Sequence, residues 1–217
     1  MARKPGFAGA EHGVHDLDAA RVLMWLPENC RSAGAARAPT VVGLEQFTGM
    51  FETFEHTAWR LETRGRYQAD ERSTAYQRFL TGQRQGAGPG PEEPWFAGRR
   101  KQTALGKRFE RVRVVDDPPT LGQLYLLDAA HRNALAGEDV RNLWRADAEW
   151  LRLPGEDFWL FDSRVLAVLR FDEADRLTEV EIVTEPRVVL RACQARDAAW
   201  HHAVPFDEFG ALVRHPR

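Results

Sequence analysis

Lysine is almost missing from this chain. Only Lys4, Lys101 and Lys107 stand among its 30 basic residues, and arginine supplies the rest. The bias fits a GC-rich genome first, and a role for arginine as a bidentate phosphate ligand second. Cysteine is equally scarce: Cys30 and Cys193 lie far apart and match no CxxC or zinc spacing. That excludes a disulfide framework and points to a reduced, cytoplasmic setting. No apolar run approaches the ~18 residues of a membrane span. Leu23 to Leu26 is too short for a secretory core and is followed by Pro27. The net charge of −2 argues against a dedicated nucleic-acid surface. GxGxxG after a strand, GxxxxGK[ST], HExxH and GxSxG are all absent, so neither a cofactor nor a metal is expected. His12 and His15 have an HxxH spacing in a low-complexity region, and His201 and His202 adjoin on a helix end, where neighbours diverge.

What is present is patterning. Residues 1–40, rich in Ala, Gly, Arg and Pro, read as a mobile extension or an over-long start of the reading frame. Residues 41–212 read as a single α+β domain and 213–217 as a tail. Leu44, Phe47, Phe51 and Phe54 recur at helical spacing. From Thr57 the period becomes two, with Trp59 and Leu61 on one face of a strand and Arg60 and Glu62 on the other. Asp70 suits the cap of a helix over Glu71 to Leu80, with Gly82 as its stop. Gly82 to Pro94 reads as a loop, and Pro94 opens a helix to Gly106. Arg108 to Val115 is a strand, and Pro118 and Pro119 open a helix carrying Leu121, Leu124, Tyr125 and Leu127. A short strand near Val140 to Trp144 precedes a meander over Asp157–Asp162, Val165–Phe171 and Leu177–Val183. A closing helix runs from Pro186 to about Ala203, ended by Pro205. The expected fold is α+β, a mainly antiparallel sheet of about five to six strands with helices packed on one face.

The candidate chemistry is polar and borne on strands. Arg60 and Glu62 share one strand face, and Arg111 and Arg113 another. Glu138 and Asp139 stand at a glycine turn, while Asp157 and Asp162 bracket Phe158, Trp159, Leu160 and Phe161. Should the strands pair, carboxylates and guanidiniums meet beside Trp159 and Tyr67. Such a cluster suits a small anionic or amino-bearing ligand. The plainer alternative is a solvated outer face whose cross-strand pairs contribute ~0.2–1 kcal/mol each. For the aromatic run, a place in the core is the plainer reading.

The blocks FETFEHTAWRLETRGRY, GKRFERVRVVDDP, AGEDVR, LPGEDFWLFDSR and CQARDAAWHHAVPFDEF resemble the family catalogued as domain of unknown function 6879, over roughly Gly43 to Phe209. Its characteristic positions fall on Trp59, Arg60, Glu62, Arg113, Gly137, Glu138, Asp157, Phe158, Trp159 and Asp162. The resemblance implies a bacterial protein of high-GC Gram-positives, often encoded beside helix-turn-helix regulators. It carries no established activity. The leading expectation is therefore a non-enzymatic cytoplasmic accessory protein that binds a protein partner such as a helix-turn-helix regulator. The alternative is a small-molecule enzyme or sensor. In it Arg60 and Arg113 anchor an anion, Glu62 or Glu138 serves as acid and base, and Tyr67, Asp157, Trp159 and Asp162 complete the site. A third expectation, nucleic-acid binding, rests on the basic stretch Arg99 to Arg113.

Overall fold

The period-two segments pair into one mixed sheet. The structure, a computed structural model, describes residues 39–83 and 94–214, all within one compact unit, Ala35–Arg217. Most of the expected extension, with His12, His15 and Cys30, lies outside the described residues, as does most of the loop after Gly82.

The strands are β1 (Thr40–Val42), β2 (Thr57–Glu62), β3 (Arg108–Val115), β4 (Glu138–Trp144), β5 (Asp157–Phe161), β6 (Val165–Phe171), β7 (Leu177–Val183) and β8 (Val204–Pro205). They lie in the order β1-β7-β6-β5-β2-β3-β4-β8. The helices are α1 (Leu44–Thr53), α2 (Gln68–Glu71), α3 (Thr74–Leu80), α4 (Pro94–Ala104), α5 (Leu121–Leu135), α6 (Arg145–Trp150), α7 (Pro186–His202) and α8 (Phe206–Arg214).

The α+β class holds, with two corrections. First, eight strands form the sheet rather than five or six, and its centre is parallel: β2 pairs with β3, and β3 with β4, in the same direction. The other five pairings are antiparallel, as expected: β5·β6 and β6·β7, joined by short turns, and β2·β5, β1·β7 and β4·β8, which link strands distant in the chain. The helices between β2 and β3, and α5 between β3 and β4, are the crossovers that parallel neighbours need.

Second, helices cover both faces. On the face carrying Ala58, Arg60 and Glu62, Phe51 of α1 meets Trp159 edge-on at 4.8 Å. On that face too, Arg99 of α4 and Asn133 of α5 reach Glu138. On the opposite face Arg141 stacks over Trp200 of α7. There Trp59, Leu61, Val112 and Leu160 are wholly buried. Helices lie on both faces, so Glu62, Arg111, Arg113, Glu138 and Asp157 are interior.

Local chemistry explains the helix bounds. Ser73, not Asp70, caps α3 by accepting the N–H of Tyr76, which splits the expected helix into α2 and α3. Thr120 and Gln123 form a reciprocal capping box at the start of α5. The inward side of α5 carries Tyr125, Leu126, Ala129 and Asn133, while Leu121 and Leu124 are exposed. Gly137, with φ at +88°, makes the tight turn from α5 into β4. α7 ends at His202 with Ala203 as its cap, as expected; Val204 and Pro205 then pair with β4, and α8 follows, taking in Val213 of the expected tail.

Candidate ligand pocket

Register brings the charges together. Arg60 lies beside Arg111 on one side and Trp159 on the other, and Glu62 lies beside Arg113. Three guanidiniums crowded on one sheet face repel unless an anion sits among them. Glu62 is that anion. One of its oxygens accepts from Arg111 at 2.6 Å and lies 3.1 Å from Arg60 Nε; the other accepts from Arg113 at 2.6 Å. Arg60 Nε makes an ion pair but no well-aligned hydrogen bond. Arg111 also donates to Glu138 at 3.0 Å. Glu138 accepts from Arg99 at 3.0 Å and from Asn133 at 2.9 Å. Arg113 reaches the Leu126 carbonyl of α5 at 2.6 Å.

Asp157 closes the network at its β5 end. It accepts from the Thr63 N–H at 2.8 Å and the Tyr67 hydroxyl at 2.5 Å, and pairs with Arg60 at 3.4 Å. Gly122 makes the loop before Tyr67 possible, because a Cβ there would stand 2.6 Å from the Gly65 carbonyl oxygen. The residues joined by these ion pairs are four arginines (60, 99, 111 and 113) and three carboxylates (62, 138 and 157).

Burial alone would raise the Glu62 pKa, but Arg111, Arg60 and Arg113 outweigh it and hold the carboxyl well below its usual range. Glu138 is likewise lowered against burial, by Arg111, Arg99 and Asn133. Both carboxyls are thus held toward the ionised form. Burial pushes the Tyr67 hydroxyl well up, with Asp157 adding to it. Burial pulls Arg60 down, but Glu62, Tyr67 and Asp157 reverse it and the net shift is upward. Burial lowers Arg99 to about 9, so it is still a cation at neutral pH. Its guanidinium lies 3.6 Å from the centre of the Trp95 ring and 3.9 Å from that of Phe109.

Above this floor opens a pocket of about 350 Å³. Arg60, Glu62, Arg111 and Arg113 line it from the sheet, Tyr67, Asp70 and Ser73 from the α2 region, and Trp95, Phe96, Tyr125 and Asn133 from α4 and α5. Of the network arginines Arg60 is the most open, its side chain 15% exposed.

Of the residues expected from sequence, Arg60, Glu62, Tyr67 and Arg113 border the pocket. Glu138 and Asp157 stand behind them as partners. Trp159 lies beneath the arginines in an apolar cluster with Phe51 and Phe161. Asp162 is elsewhere: its carboxylate accepts the backbone N–H groups of Glu55, His56 and Thr57 at 2.7–2.9 Å, fixing the turn into β2. The basic stretch is not one surface, since Arg99, Arg111 and Arg113 are buried.

Sequence reasoning missed Arg99 and Asp70. A charged residue at the inward position of α4 was its one signal for Arg99; for Asp70 there was none beyond a capping preference. Among the described residues no cluster of His, Cys, Asp and Glu could hold a metal ion, and no helix is long and apolar enough to cross a membrane.

No curated protein matches the chain by sequence. Among solved structures, NucT from Helicobacter pylori is similar at 10% identity and a TM-score of 0.42, over 77% of this chain and 97% of that one. A likeness of that order carries no argument about chemistry. The sequence profile described as Domain of unknown function (DUF6879) matches residues 45–211. That match takes in every strand but β1, the buried network and the pocket above it, and the chain belongs to this family.

Proposed function

We propose that this protein is a binding module for a small organic anion, held in the pocket above the arginine network. One observation carries the reading: a cavity of ligand size, about 350 Å³, floored by a network in which four guanidiniums meet three carboxylates. The surplus positive charge is buried, where an anion is worth most. Arg60 is the anchor, since it is the network arginine most open to the pocket. Phe47, Trp95 and Phe96 offer apolar walls for the rest of the ligand. Binding or sensing fits better than turnover by Glu62 or Glu138, because the arginines keep both ionised. A thermal-shift screen of small carboxylates and phosphate esters tests this. A ligand present at ~100 times its Kd raises stability by about 2.7 kcal/mol. Arg60→Met removes that rise while the protein stays folded; equal rises in both forms would overturn the reading.

A protein partner is the second reading, favoured by a separate groove of about 280 Å³. Phe79, Leu124, Leu127, Phe206 and Val213 line it, with Asp128 and Asp207 at its edge. An accessory role beside a helix-turn-helix regulator in the cytoplasm would use this surface. Co-expression with the neighbouring regulator tests it: Leu124→Asp should abolish a stable complex, and a complex that tolerates this change does not use the groove.

A further inference from the structure

Two kinds of uncommitted polar group line the pocket from different sides. On the sheet side stand Arg60, Arg111 and Arg113. Arg111 gives its two terminal nitrogens to Glu62 and Glu138. Arg60 pairs through Nη2 with Asp157, and its Nε lies beside Glu62. Arg113 gives Nε to Glu62 and Nη1 to the Leu126 carbonyl. Arg60 Nη1 and Arg113 Nη2 are left without a hydrogen bond among the described residues, and neither is sealed in the interior. On the helix side stands Asp70 of α2. Its backbone is engaged, the N–H donating to the Tyr67 carbonyl and its own carbonyl accepting from Ser73. Its carboxyl borders the pocket yet makes no hydrogen bond or ion pair with any described residue. The other charged groups at the rim are engaged: Arg132 lies over the Phe96 ring at 5.2 Å, and Asp175 is held by Arg64 and Arg66.

Asp70 and the arginines act on each other across a gap. Burial raises the Asp70 pKa and Glu62 adds to that, while Arg113, Arg60 and Arg111 pull against them. The carboxyl thus lies in the field of all three arginines and pairs with none. An ammonium placed against it would favour the ionised form. The charges agree with such a ligand. The network's four arginines and three carboxylates sum to one positive charge, and Asp70 brings the sum to zero. A ligand with one charge of each sign keeps it there; a bare carboxylate does not.

We infer that the pocket takes an α-amino acid with an apolar side chain: its carboxylate lies on Arg60 and Arg113, its ammonium on Asp70, and its side chain against Phe47, Trp95 and Phe96. Both polar ends are then met by charge-assisted hydrogen bonds. The pocket has three kinds of wall, cationic, anionic and apolar, and the α-carbon of an amino acid carries one arm for each. The inference rests on the anion-binding reading, makes that anion the carboxylate of a zwitterion, and adds the residue that recognises its other end.

Calorimetric titration of the full chain at neutral pH with matched pairs tests it. The pairs are phenylalanine and 3-phenylpropanoate, leucine and 4-methylpentanoate, and tryptophan and 3-(indol-3-yl)propanoate, whose members differ only by the ammonium group. The expected result is that at least one amino acid binds about tenfold or more tighter than its deaminated analogue. In Asp70→Asn that advantage should vanish, with the analogue's own affinity holding or rising. If this variant does not fold, the ratio on the native chain decides. Analogues that come within that factor of their amino acids, or an advantage that survives Asp70→Asn, would overturn the inference and leave the anion site in place. So would the silence of all these probes beside a screened anion that binds. Failure of every probe and every screened anion would remove the anion-binding reading itself.

Discussion

Leu61 and Glu62 are neighbours in the chain, both buried, and opposite in every other respect. Leu61 faces the α7 side of the sheet, wholly buried together with Trp59, Val112 and Leu160. Glu62 faces the α4–α5 side, where it draws Arg60, Arg111 and Arg113 together beneath a pocket. Strand β2 thus presents hydrocarbon to one set of helices at Trp59 and Leu61, and charge to the other at Arg60 and Glu62. The apolar side needs only volume to hold it. The charged side needs every partner present, because a buried charge left alone is costly.

Glu62→Ala should separate the two sides most sharply. It takes a carboxylate from three guanidiniums, leaves Arg113 with only the Leu126 carbonyl, and should cost about 3–5 kcal/mol in denaturant unfolding. Leu61→Ala, one residue away, should cost about 2–5 kcal/mol by leaving a cavity. The two differ in their response to acid. Glu62 and Glu138 are held below their ordinary value of 4.5, so the stability they contribute is whole above that value. It is lost as pH falls through the lowered folded values. A pH series should therefore show the Glu62 penalty shrinking in acid while the Leu61 penalty stays constant. Unfolding curves that track each other at every pH would erase the distinction.

Replacing the centre of the network together is the finer test. Arg111→Met, Glu62→Leu and Arg113→Met in one chain should be near neutral for stability, as hydrophobic replacements of buried ion pairs often are. The same chain should bind no anion in the thermal-shift screen. A large loss of stability would mark the network as structural first. The smallest effect belongs to Asp70→Asn. Because burial raises the pKa of Asp70, its ionisation opposes folding as pH rises. The variant should melt slightly above the native chain at neutral pH and alongside it in acid.

Much of this was legible in the sequence, for local reasons. The helical stripe of Phe47 and Phe51, the strand bounds of Arg108–Val115 and the meander of Val165–Phe171 and Leu177–Val183 all follow from periodicity and turn residues. The parallel centre was misread because short turns join only the last strands, while whole helices separate β2, β3 and β4. Alternation at Trp59-Arg60-Leu61-Glu62 read as inside and outside, yet it sorts apolar from charged with both sides covered. Which helix covers a charged face is a tertiary fact. Arg60, Glu62, Tyr67 and Arg113 were found because they share strands or adjoin one. Asp70 and Arg99 were not, because their meaning comes from what lies across the pocket or under the helix.

Arg99 has one more consequence. The buried residues of α4 are Arg99 and Gln102, so no greasy stripe fastens this helix to the sheet. Arg99 fastens it, sandwiched between Trp95 and Phe109 and tethered to Glu138. With Trp95 edge-on to Phe51 at 5.2 Å as a second contact, the helix is a plank whose main rivet is charged. The same helix carries Trp95 and Phe96 into the pocket wall, so one arginine serves as the latch of that wall.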